Sequence, residues 1–386
     1  MTTARATTPP PTDRTSAEHP ATDGTPPGHP SAGHPPARHP SAGPTTLDRV
    51  PVRPMPVRID LHVLLLGLAG RVDDGALADM RLCLADGEST ALASLLAAEA
   101  ATGRLTLTGA EVTLLRALFG ACEADPAPAI RAPRCVALPP SPYRFDTSAG
   151  RGRDGASEVM DAVAAEAGER VGGLTGIWRV FRRSPDGRTR RVYLAEAQDG
   201  AALAEIAAET QYALHKASED TPRVEVFPEG APLPPYHEAA LATATLVWAA
   251  PAPPVRLARA FDGADADGGP FFHPGHPRLD GPDGERVLGY LRSGELILNT
   301  PGALDDVLDP GRAGTVPLGF RSDGRWVWPD AAAYYLKSHR LAPEPDLVAH
   351  ALAAAAPPGP LSRTTRHRVL TALFAPTGGE PVWQAG

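Results

Sequence analysis

Lysine is nearly missing from this 386-residue chain. It occurs only as Lys216 and Lys337, and arginine carries almost all of the positive charge. That bias, with abundant alanine, glycine and proline, reflects a GC-rich genome more than a function. Cysteine is scarce too. Cys83, Cys122 and Cys135 are widely spaced, with no C-x-x-C among them, which argues against a disulfide framework or a structural zinc and fits a reducing cytoplasm. No apolar run reaches a membrane span: the longest, residues 61–69, is broken by His62 and Gly67 and falls far short of the ~20 residues required. The first fifty residues lack the apolar stretch of a secretory signal. Net positive charge is also lacking. The formal charge is −8, which excludes a DNA-binding reading and disfavours RNA, since both need a basic face.

Catalytic signatures are missing as well. There is no GxxxxGK[ST] and no G-x-S-x-G. His237-Glu238 fails the zincin pattern at its last position, because Leu241 stands where the second histidine belongs. Gly150 to Gly155 matches G-x-G-x-x-G, but neither a buried strand before it nor a well-placed acid after it completes a dinucleotide fingerprint. Residues 262–269 imitate a calcium loop without its ligand register. No cofactor is expected. Triads assemble in space, so an enzyme is not excluded; an enzymatic reading would rest on His273, His276, Asp280, His339 and Asp323. His273 and His276 are also the weak candidates for a metal.

What is present suggests an α+β protein. Residues 1–56 form a Pro/His-rich tail with four His-Pro dipeptides and too little apolar surface to offset the entropy of ordering, so disorder is expected. Residues 57–124 read as a small helical bundle. Asp60 is placed to cap its first helix, Gly87 to close the second, and Thr108 with Glu111 to form a capping box. Residues 125–155 read as a linker. Residues 156–250 follow the order α-β-β-α-β-α-β, expected to form a four-stranded, mainly antiparallel sheet with helices on one face, and Asp199 is placed to cap the long helix. Arg182, Arg183, Arg188, Arg190 and Arg191 cluster at the first hairpin, with Arg188 and Arg190 as candidate binding residues for an acidic partner or for RNA.

Residues 251–356 form a second α+β unit, and 357–386 a C-terminal tail containing a possible helix at 363–374 and the apolar Val382 and Trp383. The densest aromatic stretch, 315–341, lies in the second unit. It holds two of the five tryptophans and two of the seven tyrosines. Residues 316–320 read as an edge strand because of Pro317. Asp323-Gly324 marks a hairpin turn. Trp326 and Trp328 then alternate with Val327, so both indoles share a face, and Asp330 to His339 reads as a helix. Trp326, Trp328, Tyr334 and Tyr335 are candidates for an aromatic recognition surface, since exposed aromatics anchor interfaces; packed inward, the same residues would form the core of the unit.

The segments DG-x-W-x-W-P and YYL-x-x-H, together with RVLGYLRSGELIL, resemble a group of uncharacterised actinobacterial proteins over residues 156–355. The resemblance implies no established activity and no catalytic residues. It points to an accessory role, such as an immunity, secretion-associated or regulatory factor. The expectation is therefore a cytoplasmic, non-enzymatic protein whose partner is another protein. The alternative is a hydrolase or metal-dependent enzyme centred on the His273/His276 loop.

Overall fold

The structure is a computed structural model. It describes residues 57–127, 131, 134–135, 138, 140–146, 155–265 and 268–375. The Pro/His tail, most of the Gly150–Gly155 run and the Val382–Trp383 pair lie outside the described residues. The fold is α+β. Helices α1 (Arg58–Leu68), α2 (Asp74–Asp86) and α3 (Ser89–Ala101) are followed by β1 (Leu107–Thr108), α4 (Gly109–Ala121), β2 (Arg134–Cys135) and β3 (Arg144–Asp146). Next come α5 (Gly155–Arg170), β4 (Leu174–Arg183), β5 (Thr189–Ala197), α6 (Leu203–Lys216), β6 (Val224–Pro228), α7 (Pro235–Leu241) and β7 (Thr245–Ala249). The second half has β8 (Arg256–Leu257), β9 (Gly263–Asp265), β10 (Gly269–Phe271), α8 (Gly281–Ser293), β11 (Glu295–Leu298), β12 (Ala303–Leu304) and β13 (Val316–Pro317). It closes with β14 (Phe320–Ser322), β15 (Trp326–Pro329), α9 (Asp330–His339), α10 (Pro345–Ala353) and α11 (Arg363–Leu373).

Local signals set most of these boundaries. Thr108 and Glu111 form the reciprocal capping box of α4, and Gly87 closes α2 in the left-handed conformation at φ 76°, which glycine adopts without a Cβ clash. Two expected caps do not form. Helix α1 starts at Arg58, two residues before Asp60, and its N-cap Val57 offers no side-chain acceptor. Asp199 lies in a turn with Gly200 at φ 77°, so α6 begins only after Ala202, again without a side-chain cap.

The first sheet runs β3-β4-β5-β6, with β7 also paired to β4. Strand β4 is long enough to take both neighbours on one edge: β7 lies along 176–179 and β3 along 181–183, each antiparallel. β3 comes from the stretch expected to be a linker. Helices α5 and α6 cover one face, where Ile177, Tyr193, Ala195 and Val226 meet Met160, Ala164, Leu203 and Ile206. On the other face Trp178, Val180, Val192, Leu194 and Phe227 pack with Leu66 of α1 and Ala240 of α7.

The helical segment is tied to this sheet through its interior. Its apolar cluster takes in Ala204 of α6 and Tyr236 of α7. Arg81 of α2 forms a buried ion pair with Glu225 of β6, and Gln211 donates its amide N–H to the carbonyl of Ala78 (3.2 Å). His62 of α1 places Nε2 2.8 Å from the carbonyl of Val226, satisfying an acceptor of the outermost strand. A carbonyl only accepts, so Nε2 carries the proton.

His62 Nδ1 is buried without a partner among the described residues, and protonating it would leave an N–H with no acceptor. Burial accordingly pushes the imidazole down to about 4. Between pH 6.5 and 4 the unfolded chain binds this proton and the folded chain does not. The contribution is fully present above 6.5, is lost as pH falls to 4, and amounts to about 3 kcal/mol. Urea titrations across that window should show the fall. A His62→Gln variant, which keeps a donor for Val226 but cannot titrate, should flatten it; an unchanged slope would assign the effect elsewhere.

The second sheet runs β11-β14-β15-β8, antiparallel except for β15 with β8. The stretch expected as one strand at 316–320 splits in two. Val316 and Pro317 pair with β12 in a two-strand ladder, while Phe320 starts β14 in the main sheet. Gly319 stands between them, where a Cβ would lie 2.3 Å from Asp330 Oδ2.

Helix α11, within the segment expected as a tail, is packed against both sheets. Its N-terminus meets Glu196 of β5, which is fully buried. Glu196 Oε1 accepts from Arg363 N and Oε2 from Thr364 N, each at 2.8 Å, so one carboxylate satisfies two of the amides every helix leaves open. Gly176 of β4 makes room for this approach: a Cβ there would lie 2.1 Å from Thr364 Oγ1. On its other side Val369, Leu370 and Leu373 pack with Ile297 and Val327 of the second sheet. Glu295 of β11 accepts from Leu361 N (2.6 Å) and pairs with Arg366.

Candidate functional site

The arginine hairpin carries the most distinctive surface among the described residues. Pro185-Asp186-Gly187 turns β4 into β5, with Gly187 at φ 83° and Ser184 and Arg188 closing the turn by a backbone bond of 2.8 Å. The antiparallel register sets Arg182 opposite Arg190, Arg183 opposite Thr189 and Phe181 opposite Arg191. Strand β3 adds Arg144 opposite Arg183. Like charges directly opposite one another are destabilising in a sheet, so the positions of the compensating carboxylates decide what each arginine can do.

Three arginines near the hairpin are neutralised. Arg182 is buried, its guanidinium forked onto Asp74 (Nη1–Oδ1 2.9 Å, Nη2–Oδ2 2.5 Å) and stacked 4.3 Å from the Tyr143 ring centre. Arg179 pairs with Asp161 at 3.0 Å and Arg191 with Glu219 at 3.1 Å. Arg223 adds its Nε to the same Asp74 Oδ2 at 2.6 Å. Burial alone would push the Asp74 carboxyl up, but Arg182 and then Arg223 hold it below the usual carboxylate range. One carboxylate thus serves two guanidiniums.

Above this floor lies a cleft of about 300 Å³ lined by Asp73, Asp74, Tyr143, Arg182, Ser184, Asp186, Arg188, Arg190, Thr221 and Arg223, with Val72 and Gly75. Asp73 caps α2 through Gly75 N and Ala76 N, which brings the positive end of that helix to the cleft. Four arginines face three aspartates. Arg188 is exposed and only loosely paired with Asp186 (3.5 Å). Arg190 is exposed, and among the described residues its side chain bonds only the carbonyl of Thr189. Among the described residues, no carboxylate is within ion-pair distance of Arg144, Arg183 or Arg190. Guanidinium forks in such a setting suit carboxylates and phosphates.

The aromatic candidates sit elsewhere. Trp326, Trp328 and Tyr335 are 3%, 0% and 1% exposed, so they act as core and not as a recognition surface. The physical reason is the small unit they must hold together. Both indoles pack on α8, α9 and α10, and Val327 faces α11 on the opposite side. Tyr334 is half-buried, its hydroxyl 2.9 Å from Asp306 Oδ2.

The five residues of the enzymatic reading are divided among separate groups. His276 has Nδ1 2.9 Å from Asp262 Oδ1 and Nε2 2.9 Å from the carbonyl of Ala342. Both ring nitrogens are thus engaged within the fold, and a metal there would have to displace one of these contacts. His273 is exposed and uses its backbone N–H on Asp262 (2.7 Å). His339 bonds Asp306 (2.6 Å). Asp323 accepts from Tyr290 (2.6 Å) and from His350 (2.5 Å) and, through Oδ1, from Arg325 N and Trp326 N in the hairpin turn. Asp280 is exposed, 3.6 Å from Arg340. Burial would raise the carboxyls of Asp262, Asp306 and Asp323, but the hydrogen bonds they accept hold all three below their usual range.

Sequence reasoning placed Arg182 in the hairpin cluster but missed its partner Asp74 and the neighbouring Arg223 in the cleft, and Asp262, Asp306, Tyr290 and His350 in these networks. Among the described residues, no three or more His, Cys, Asp or Glu side chains are placed to hold a metal ion, and no helix is long and apolar enough to cross a membrane. No protein-family model, curated protein or solved structure matches this chain.

Proposed function

We propose that this chain is a non-enzymatic, cytoplasmic accessory or regulatory protein that binds an acidic segment of another protein in the arginine cleft. The observation that carries the reading is the exposed Arg188 and Arg190 standing above a floor where Arg182 and Arg223 already saturate Asp74. An incoming carboxylate meets preorganised guanidiniums and the start of α2. Asp73 and Asp186 at the rim, and the net charge of −8, oppose a polyanionic nucleic acid backbone. The three unpaired cysteines fit a reducing compartment.

The test uses a fluorescein-labelled hexaglutamate peptide and the full chain. Binding is expected to weaken steadily with salt. An Arg188→Ala, Arg190→Ala variant should bind roughly tenfold more weakly, because each lost charged hydrogen bond removes on the order of 1 kcal/mol or more. Both side chains are exposed, so the variant should keep the parent's circular dichroism. Equal binding by variant and parent, or tighter retention of a single-stranded RNA than of the peptide, would overturn the reading.

A further inference from the structure

Gly75 and Thr221 line the arginine cleft on one side and a second depression, of about 260 Å³, on the other. This groove lies between α2 and α6. Ala78, Leu82, Tyr212 and Pro222 give it a largely apolar wall. Leu82 and Tyr212 are left 38% and 67% exposed, unusually bare for side chains of their size. At its mouth stand Asp79 and Asp220, both exposed. No cation is within ion-pair distance of either among the described residues. The neighbouring cleft is rich in arginine, so the two depressions offer opposite charge side by side.

Gln211 supplies an independent observation. It lines the groove and is 3% exposed. Its Nε2 donates to the carbonyl of Ala78, which fixes the orientation of the amide, because a carbonyl only accepts. Its Oε1 is then enclosed with no hydrogen-bond partner among the described residues. An orphaned acceptor of this kind favours a ligand that brings a donor.

We propose that the groove receives a lysine or arginine side chain of the partner segment whose acidic residue enters the arginine cleft. The methylene stem matches the Ala78, Leu82 and Pro222 wall. The cationic head finds the Asp79 and Asp220 carboxylates, the face of Tyr212 and, with a small adjustment of the floor, Gln211 Oε1. The assignment to one shared segment rests on the reading of the cleft above; the groove's preference for a cation does not. The recognised sequence would then carry acidic and basic residues close together.

The experiment titrates N-acetyl-arginine amide, and the uncharged citrulline analogue of nearly the same shape, into the full chain. Tyrosine and histidine ring signals report on Tyr212 and His215 at the groove. The arginine probe should give saturable shifts, and citrulline should bind roughly tenfold more weakly, as expected for loss of a cation held by carboxylates and an aromatic face. An Asp79→Asn, Asp220→Asn variant, altered only at exposed positions, should bring the arginine probe to the citrulline level; Tyr212→Ala should weaken it as well. Equal binding of the two probes, or no saturable shift, would overturn the groove assignment. A glutamate peptide bearing one arginine is then compared with its citrulline counterpart. A gain that disappears in the Asn variant supports the shared segment, and no gain refutes it. If the arginine probe is selective while no glutamate peptide binds, the cleft reading fails and the groove assignment stands.

Discussion

Trp328→Ala should lower stability by about 3–5 kcal/mol, the range for removing a fully buried aromatic side chain. Trp328 has no exposed surface. Its indole N–H donates to the carbonyl of Leu291 (3.0 Å), so the substitution leaves a cavity and strands a buried acceptor. The fit is close: a Cβ on Gly294 would lie 2.3 Å from Trp328 Cζ2, so the backbone of α8's end has no side chain with which to refill the space. The urea midpoint followed by circular dichroism should shift accordingly. An unmoved midpoint would mean that α8 and α9 hold the second sheet without this residue, and would reopen the tryptophans as a surface.

Glu225→Ala should cost a comparable amount, about 3–5 kcal/mol, because it breaks a buried ion pair from one side only. Glu225 and Arg81 are both almost fully buried, and the same carboxylate also lies 3.3 Å from His237 Nε2. Burial would raise the Glu225 carboxyl, but Arg81 and then His237 keep it below its usual range. Removing it leaves a guanidinium in the interior with no counter-charge. The informative comparison is Arg81→Met with Glu225→Leu together. That pair removes both charges and should recover most of the loss. If the single variant were as stable as the parent, water would have to reach Arg81 once the carboxylate is gone. If the double variant were as unstable as the single one, packing and not charge would join α2 to β6.

What was legible in the sequence was what is local. Helix α9 runs over the same ten residues that the spacing of Asp330, the alanines and the two tyrosines indicated. The alternation Trp326-Val327-Trp328 correctly put both indoles on one face. The Thr108–Glu111 capping box formed because its two members are three residues apart. The failures were equally physical. Asp199 looks like a cap by composition, but Gly200 turns the chain before the helix begins. Arg188 and Arg190 stood out as a cluster, yet nothing near them in sequence reveals that Asp74, 108 residues before Arg182, neutralises the floor below. Arg81 meets Glu225 across 144 residues. Partnerships of that span leave no periodic trace, and the same holds for the carboxylates that occupy His276, His339 and His350.

The docking of α11 has a consequence for how fast this protein comes apart. Its contacts with Glu196 span 167 and 168 residues, and that with Glu238 spans 125. Closing such long loops is slow and entropically costly, so these contacts are expected to form after each sheet has assembled around its own hairpins. Interactions made late in folding are absent from the transition state, and losing them speeds unfolding while leaving the folding rate nearly unchanged. The carboxylates of Glu196 and Glu238 are therefore expected to govern the lifetime of the native state more than the rate at which it is reached.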